Sequence, residues 1–287
     1  MPARLILNAD DFGLTPGINR AIAELHSAGA LTSATLMANS LAFDDAAAIA
    51  RAHPTLGIGC HIVLTDGVPV LPPNTIPSLI GPDGKSFRPS LTAFLRALFL
   101  GRIREQDVIR EASAQIQKLQ RAGIAITHLD THKHTHLFPS IARPLLAVAD
   151  HANIRAIRNP FEPHWSLALH QGSPSRRLAI KWINRLRPKF EAALRTHAGR
   201  IQTTEGTVAI AATGQLDANT LARILDALPT TGTYELCCHP GYNDRDLDAV
   251  TTRLRAHRDI EREALLREAP RLNPTQLISY ASLAPPA

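Results

Sequence analysis

The chain has 287 residues, a net charge of +6 and 45% hydrophobic residues, enough for a large α/β domain with a substantial core. Its three cysteines, Cys60, Cys237 and Cys238, make no CxxC pair, which argues against a cysteine zinc site and fits packing in a reducing compartment. No apolar run approaches the length of a membrane span and the N-terminus enters a strand directly, so the expectation is a soluble, cytoplasmic protein.

Residues 4–9 read as a strand that leaves through Asp10-Asp11-Phe12-Gly13. Thr15-Pro16 then supplies an N-cap and a first-turn proline for a helix carrying Ile18, Ile22 and Leu25. A second strand is expected over Thr32 to Ala38, a helix with Phe43 and Ile49 follows, and Leu56 to Leu64 is the third strand. The irregular section from Thr65 to Ser90 holds prolines at 69, 72, 73, 77, 82 and 89; loops of this length in a compact domain usually cover a site. Helical patterns at Leu91 to Leu100 and Glu105 to Arg121 lead to a His-rich strand beginning near Ile124, and Pro139 opens another helix. Ile154 to Ile157 is a short strand. Further on come a strand at Thr207 to Ala211, a helix capped by Asp217, a strand at Thr233 to His239, a charged helix near 247–268 and a last short strand at Leu277 to Tyr280. About seven strands alternate with helices, so the expectation is one α/β domain built as a distorted (β/α) barrel of parallel strands.

One window breaks the rhythm. Between Arg155 and Arg200 ten Lys or Arg face only Glu162 and Glu191, a local +8 that leaves the remainder slightly acidic. Wholesale nucleic-acid binding is therefore not expected. A basic helical insertion spans about 158–203, and in its stretch 176–187 Leu178, Trp182, Ile183 and Leu186 recur at helical spacing among Arg176, Arg177, Lys181 and Arg185. That is the pattern of an interfacial helix, equally of a cationic lid over the barrel. The first reading puts the protein peripherally at the inner face of a membrane. A homodimer is compatible with the sequence and not fixed by it.

The densest chemistry is His128-Leu129-Asp130-Thr131-His132-Lys133-His134-Thr135-His136, at the carboxyl end of a strand, where α/β folds gather binding groups. Neutral imidazoles suit zinc, and carboxylates hold or orient such ligands. Other strand ends bring Asp10-Asp11, His61 and His239 to the same end of the βα units. Singly, each reads as a cap, a core imidazole or an ordinary strand end; together they point to a metal site. Adjacent carboxylates diverge, so one ligates and the other stays free near a water activated by the ion. A histidine on the opposite wall protonates the leaving group. This is apparatus for cleaving an amide or ester, and Arg158 is a candidate active-site cation.

Asn8-Ala9-Asp10-Asp11-Phe12-Gly13, His61 followed three residues on by Leu64-Thr65, the His128 to His136 run and Cys238-His239-Pro240 resemble, in order from about Arg4 to Tyr280, the YdjC-like carbohydrate deacetylase family. That family includes diacetylchitooligosaccharide deacetylases and hopanoid-biosynthesis-associated deacetylases. The resemblance implies Asp11, His61 and His132 as ligands of one divalent ion, zinc or magnesium, with Asp10 as base and His239 as acid. It leaves Asp130, His128, His134 and His136 as supporting or substrate-side groups. The implied substrate is an N-acetylated amino sugar. Leu64 to Pro73 and Gly84 to Pro89 are similar to the hopanoid-associated branch, whose substrate is a glycolipid headgroup; diacetylchitobiose is the alternative. Among rivals, phosphoesterase and amidohydrolase barrels usually carry His-x-His where this chain has Asp-Asp. A catalytically silent sugar-binding protein would have lost Asp10 or His239, and both are present.

Overall fold

The structure, a computed structural model, describes residues 3–169, 180 and 182–283. In chain order it runs β1 (Arg4–Phe12), α1 (Pro16–Ser27), β2 (Ser33–Leu36), α2 (Phe43–Ala52), β3 (Gly57–Ile62), α3 (Leu91–Phe99), α4 (Glu105–Arg121), β4 (Ile126–Thr131) and α5 (Pro139–His151). Then come α6 (His164–Leu167), α7 (Arg187–Arg195), β5 (Gly206–Val208), α8 (Ala218–Asp226), β6 (Thr233–Cys238) and α9 (Ala256–Glu268). Six parallel strands lie in the order β4-β3-β2-β1-β6-β5. The sheet curls into a half-barrel.

The expected count of about seven strands is corrected to six. Ile154 to Ile157 makes single parallel bridges, Leu129 to Ile157 and Ala156 to Gln202, that extend the wall beyond β4 without forming a ladder. Leu277 bridges Leu5, after which Tyr280 enters a 3₁₀ turn. The strand expected to run to Ala211 stops at Val208, because Ala209 takes a positive φ of 70°. The charged helix expected near 247 begins at Ala256, after a separate 3₁₀ turn at Arg245–Ala249.

Each strand's two faces differ in chemistry. Leu5, Leu7 and Ala9 of β1, Ile58, Cys60 and Ile62 of β3, and Leu236 and Cys238 of β6 join one apolar cluster with the helices, including Ile18, Ile22, Val108, Ile116 and Leu145. The alternate residues, Asn8 and Asp10, Thr35, His61, His128 and Asp130, and Glu235 and Cys237, are buried inside the barrel, where Asp10 bonds Asn8, Thr35 and Cys237, and His61 bonds Asp130. The period of two thus builds an oily outer layer and a polar interior from the same strands. Ile6, Ala156 and Tyr280 close the floor as a small apolar cluster.

Side-chain caps set several helix starts: Thr15 Oγ1 accepts from Ile18 N–H at 3.3 Å, Ser90 from Ala93 at 3.2 Å and Asp217 from Thr220 at 2.8 Å. The Pro-rich stretch after β3 is held by buried side chains of α4. Gln115 both donates to the Val63 carbonyl at 2.7 Å and accepts from the Val63 N–H at 2.9 Å, while Glu111 accepts from the N–H groups of Val70 and Leu71 at 2.8 and 3.1 Å. No described helix is long and apolar enough to cross a membrane.

Candidate active site

At the carboxyl end of β1 the pairing register with β2 shifts between Ala9 and Phe12, and Asp11 adopts φ 64°. This bulge breaks the alternation, so that both carboxylates face the barrel mouth. His61 is on β3 beside Asp130 in the β3–β4 register. β4 ends at Thr131, and His132 opens a 3₁₀ segment in which Lys133 and His134 have φ of 56° and 51°. Backbone strain of this kind collects at functional sites.

Asp11 Oδ1, His61 Nε2 and His132 Nδ1 converge: 3.8 Å from Asp11 to His61, 3.6 Å from Asp11 to His132 and 3.3 Å between the imidazoles. Ligand atoms on a tetrahedral ion with bonds of about 2.1 Å stand about 3.4 Å apart, so this set fits a divalent cation. Its supports fit as well. Asp130 lies 2.8 and 2.9 Å from His61 Nδ1, which turns the Nε2 lone pair toward the other donors. Arg258 Nη2 holds Asp11 Oδ2 at 2.6 Å and leaves Oδ1 as the free donor atom. Two imidazoles with one carboxylate is a donor set that zinc accepts readily and harder ions also tolerate.

Asp10 stands apart from this triad. Its Oδ1 accepts from Arg158 Nη2 at 2.6 Å, Thr35 Oγ1 at 3.1 Å and Asn8 Nδ2 at 3.1 Å; its Oδ2 accepts from Arg158 Nη1 at 2.9 Å and faces His239 Nε2 at 3.8 Å. Arg158, 0% exposed, also reaches Asp130 through Nη1 and Glu235 through Nε at 2.8 Å. One guanidinium therefore fixes three buried carboxylates, a use of its planar fork that a lysine could not match. Burial alone would raise the Asp10 carboxyl, but the Arg158 charge outweighs it and keeps Asp10 well below the usual carboxylate range. At Asp11 burial is likewise overridden, here by Arg258 and His132. His61 shows the opposite balance: burial lowers an imidazole, yet Asp130, Asp10 and Asp11 push it up to about 9.

The other histidines of the run are scattered over different tasks. His128 lies deep in the barrel, stacked on Tyr280 with centroids 3.8 Å apart, and it is not at the mouth. A Cβ on Gly59 would meet its ring at 2.5 Å, so β3 needs glycine there. His136 is buried between Thr131 Oγ1 at 2.7 Å and the Arg158 carbonyl at 3.2 Å. Burial drives both well below the ordinary imidazole range. His134 does line the mouth, and burial followed by the nearby Arg158 charge brings it to about 3, a neutral ring with its Nδ1 unpartnered.

A cavity of about 590 Å³ opens above the triad. Asp66, Lys133 and Arg253 add charge to its rim, Thr92 and Thr252 add hydroxyls, and Leu91 and Leu254 add apolar surface. Lys133 Nζ and Asp66 Oδ2 form an ion pair of 2.5 Å across it. Of the residues singled out in the sequence, the structure brings together Asp10, Asp11, His61, Asp130, His132, Arg158 and His239; it joins to them four that were not among the candidates, Arg258, Glu261, Glu235 and Tyr280. The last four carry no motif, and charged residues on a helix read as solvated face. Of the stretch 176–187, the residues Arg176, Arg177, Leu178, Ala179 and Lys181 lie outside the described residues; Trp182 is exposed, with the Arg185 guanidinium 3.8 Å from its ring centroid.

A carbohydrate deacetylase of Brevibacillus brevis is 39% identical over 158 residues, 55% of this chain and 60% of that protein. One of Halalkalibacterium halodurans is 33% identical over 196 residues, 66% of this chain and 80% of that one. The chain spans 60% and 54% of the length of the Brevibacillus and Geobacillus stearothermophilus relatives. A crystal structure from Enterococcus faecalis V583, provisionally named a cellobiose-phosphate cleavage protein, superposes with a TM-score of 0.78 at 25% identity, over 99% of this chain and 100% of that one. With the YdjC-like family model matching residues 4–272, from the first residue of β1 to beyond α9, the chain belongs to the YdjC-like protein family.

Proposed function

We propose that the protein is a divalent-metal-dependent deacetylase that removes the N-acetyl group from an N-acetylated amino sugar. The observation that carries this reading is the Asp11–His61–His132 donor set with Asp10 and His239 facing each other beside it at 3.8 Å. The relatives' name, carbohydrate deacetylase, points the same way. Asp11, His61 and His132 would hold the ion, which supplies Lewis acidity toward the acetyl carbonyl and the attacking water.

The remaining chemistry belongs to the chain. Asp10 Oδ1 takes three donors, whereas Oδ2 takes one full hydrogen bond, from Arg158 Nη1 at 2.9 Å, and the weak thiol donor of Cys237 at 3.4 Å, so Oδ2 is the less occupied oxygen, and there Asp10 accepts the water's proton. Arg158 fixes that carboxylate and keeps it ionised. His239 Nε2, across the same gap, hands a proton to the departing sugar nitrogen. The products are acetate and a free amine. Rim hydroxyls and the Asp66–Lys133 pair suit sugar hydroxyls, with Leu91 and Leu254 as apolar support for a ring face. The silent sugar-binding alternative requires loss of the base or the acid, and the chain keeps both.

For the acceptor we propose the N-acetylglucosamine headgroup of a hopanoid glycolipid. The two segments similar to that branch bound the cavity: Asp66 belongs to the first, and Pro89 ends the second. Diacetylchitobiose is the alternative. Acetate release from N-acetylglucosaminyl lipid, diacetylchitobiose and free N-acetylglucosamine, with and without chelator, tests both levels. Release abolished by chelator and restored by zinc or magnesium is expected; full release after demetallation defeats the metal assignment, and no release from any of the three defeats the deacetylase reading.

A further inference from the structure

We infer that Glu261 on α9 is the positioning residue for His239, turning Nδ1–H inward to its carboxylate and Nε2 toward the scissile nitrogen. This rests on the deacetylase reading for the role of His239, while the geometry behind it is independent of substrate.

His239 stands just past the end of β6 and is followed by Pro240, so its backbone has left the sheet ladder. Glu261 takes over. Its Oε2 accepts the His239 N–H at 2.5 Å and its Oε1 accepts the Gly214 N–H at 3.3 Å, which ties the loop after β5 to the same carboxylate. The side chain is 1% exposed, an expensive place for a carboxylate without a task. The same Oε2 lies 3.9 Å from His239 Nδ1, and that ring nitrogen is buried with no bonding partner. On the far side of the ring Nε2 faces Asp10.

These positions assign the ring its protons. An imidazolium donates from both nitrogens, and once Nε2 has given its proton away the one left must reside on Nδ1. A carboxylate facing Nδ1 selects that tautomer, and hydrogen bonds that are long before substrate binds tighten in the reacting complex. Three residues earlier on the same helix face, Arg258 holds Asp11 Oδ2 at 2.6 Å and approaches the His239 carbonyl at 3.5 Å. The chain beyond Pro240 leaves no slack: a Cβ on Gly241 would stand 2.9 Å from Ile18 Cγ1 and 3.1 Å from Arg258 Cδ. α9 thus grips the ends of β1 and β6 at the two residues that face the reaction.

The test compares the metal-loaded wild type with Glu261→Gln, which keeps an acceptor for the His239 N–H but loses the charge, and with Glu261→Asp. Ring-nitrogen NMR should show neutral wild-type His239 as the Nδ1–H tautomer and a tautomer mixture in E261Q. Acetate release from whichever of N-acetylglucosaminyl lipid, diacetylchitobiose and free N-acetylglucosamine the wild type cleaves should show kcat down roughly 10- to 100-fold in E261Q with KM within about twofold, partial recovery in E261D, and little further loss when E261Q is added to His239→Ala. An Nε2–H tautomer in the wild type overturns the inference, even if no variant folds. So does an E261Q loss equally large in the H239A background. If the wild type releases acetate from none of the three acceptors, the deacetylase reading fails while the tautomer result still decides the role of Glu261.

Discussion

Asp10 and Asp11 are neighbours in sequence with different surroundings, Asp10 held by Arg158 through both oxygens and Asp11 held by Arg258 through Oδ2 alone. Asp10→Asn should therefore lower acetate release by roughly 10²–10⁴-fold with metal content, measured by elemental analysis, unchanged; a parallel loss of metal would mean that the two carboxylates exchange roles. His61 makes a second test. Its folded value of about 9 lies above the ordinary 6.5, so in metal-free protein its contribution to stability is complete below about 6.5 and is lost as pH rises through 9. The amount at stake is on the order of 3 kcal/mol. Urea unfolding in chelator across that window should show the decline, and His61→Asn should flatten it. Metal must displace the same proton, so its affinity should rise about tenfold per pH unit up to that value.

At the scale of elements, the curl of the sheet and the bulge at the end of β1 place the triad, and α4 and α9 fix what surrounds it. Glu111 supplies acceptors to a stretch of backbone that has no ladder of its own. Glu111→Ala should cost roughly 1–3 kcal/mol by leaving the partly buried N–H groups of Val70 and Leu71 without their acceptor. It should also make the segment 65–90 the first site of limited proteolysis, and unchanged protection would contradict this. The strand and helix order was legible from periodicity, and the Thr15 and Asp217 caps from residue type. The fifth expected strand was not, because an apolar Ile154 to Ile157 run reads the same whether it pairs along its length or through single bridges. α9 was read as a charged helix and nothing more: spacing reveals which residues share a face, and only packing reveals that Arg258 and Glu261 turn theirs inward.

For the whole molecule, the charge asymmetry is the feature that the barrel leaves unexplained. A +8 window in a chain of total +6 predicts attraction to an anionic surface. The protein should co-sediment with anionic vesicles at low salt, release as salt is raised, and lose binding after charge reversal at Arg176, Arg177, Lys181 and Arg185. Absence of binding, or binding indifferent to those reversals, would leave the lid reading of the basic stretch.

By itself the sequence determined the α/β alternation and the residue types of the site, since periodicity, caps and donor chemistry are local properties written within a few positions. It also located the ligand candidates, because strand ends in a parallel sheet converge. The resemblance pointed to His132 among the four histidines of the run; only the tertiary structure shows it beside Asp11 and His61 while His128 and His136 are buried elsewhere, and shows that Arg158 holds three carboxylates at once. It likewise showed that a distant helix clamps both Asp11 and His239. These depend on a one-residue bulge, a left-handed turn after Thr131 and the burial of charges more than two hundred residues away in sequence, and no local pattern encodes such meetings.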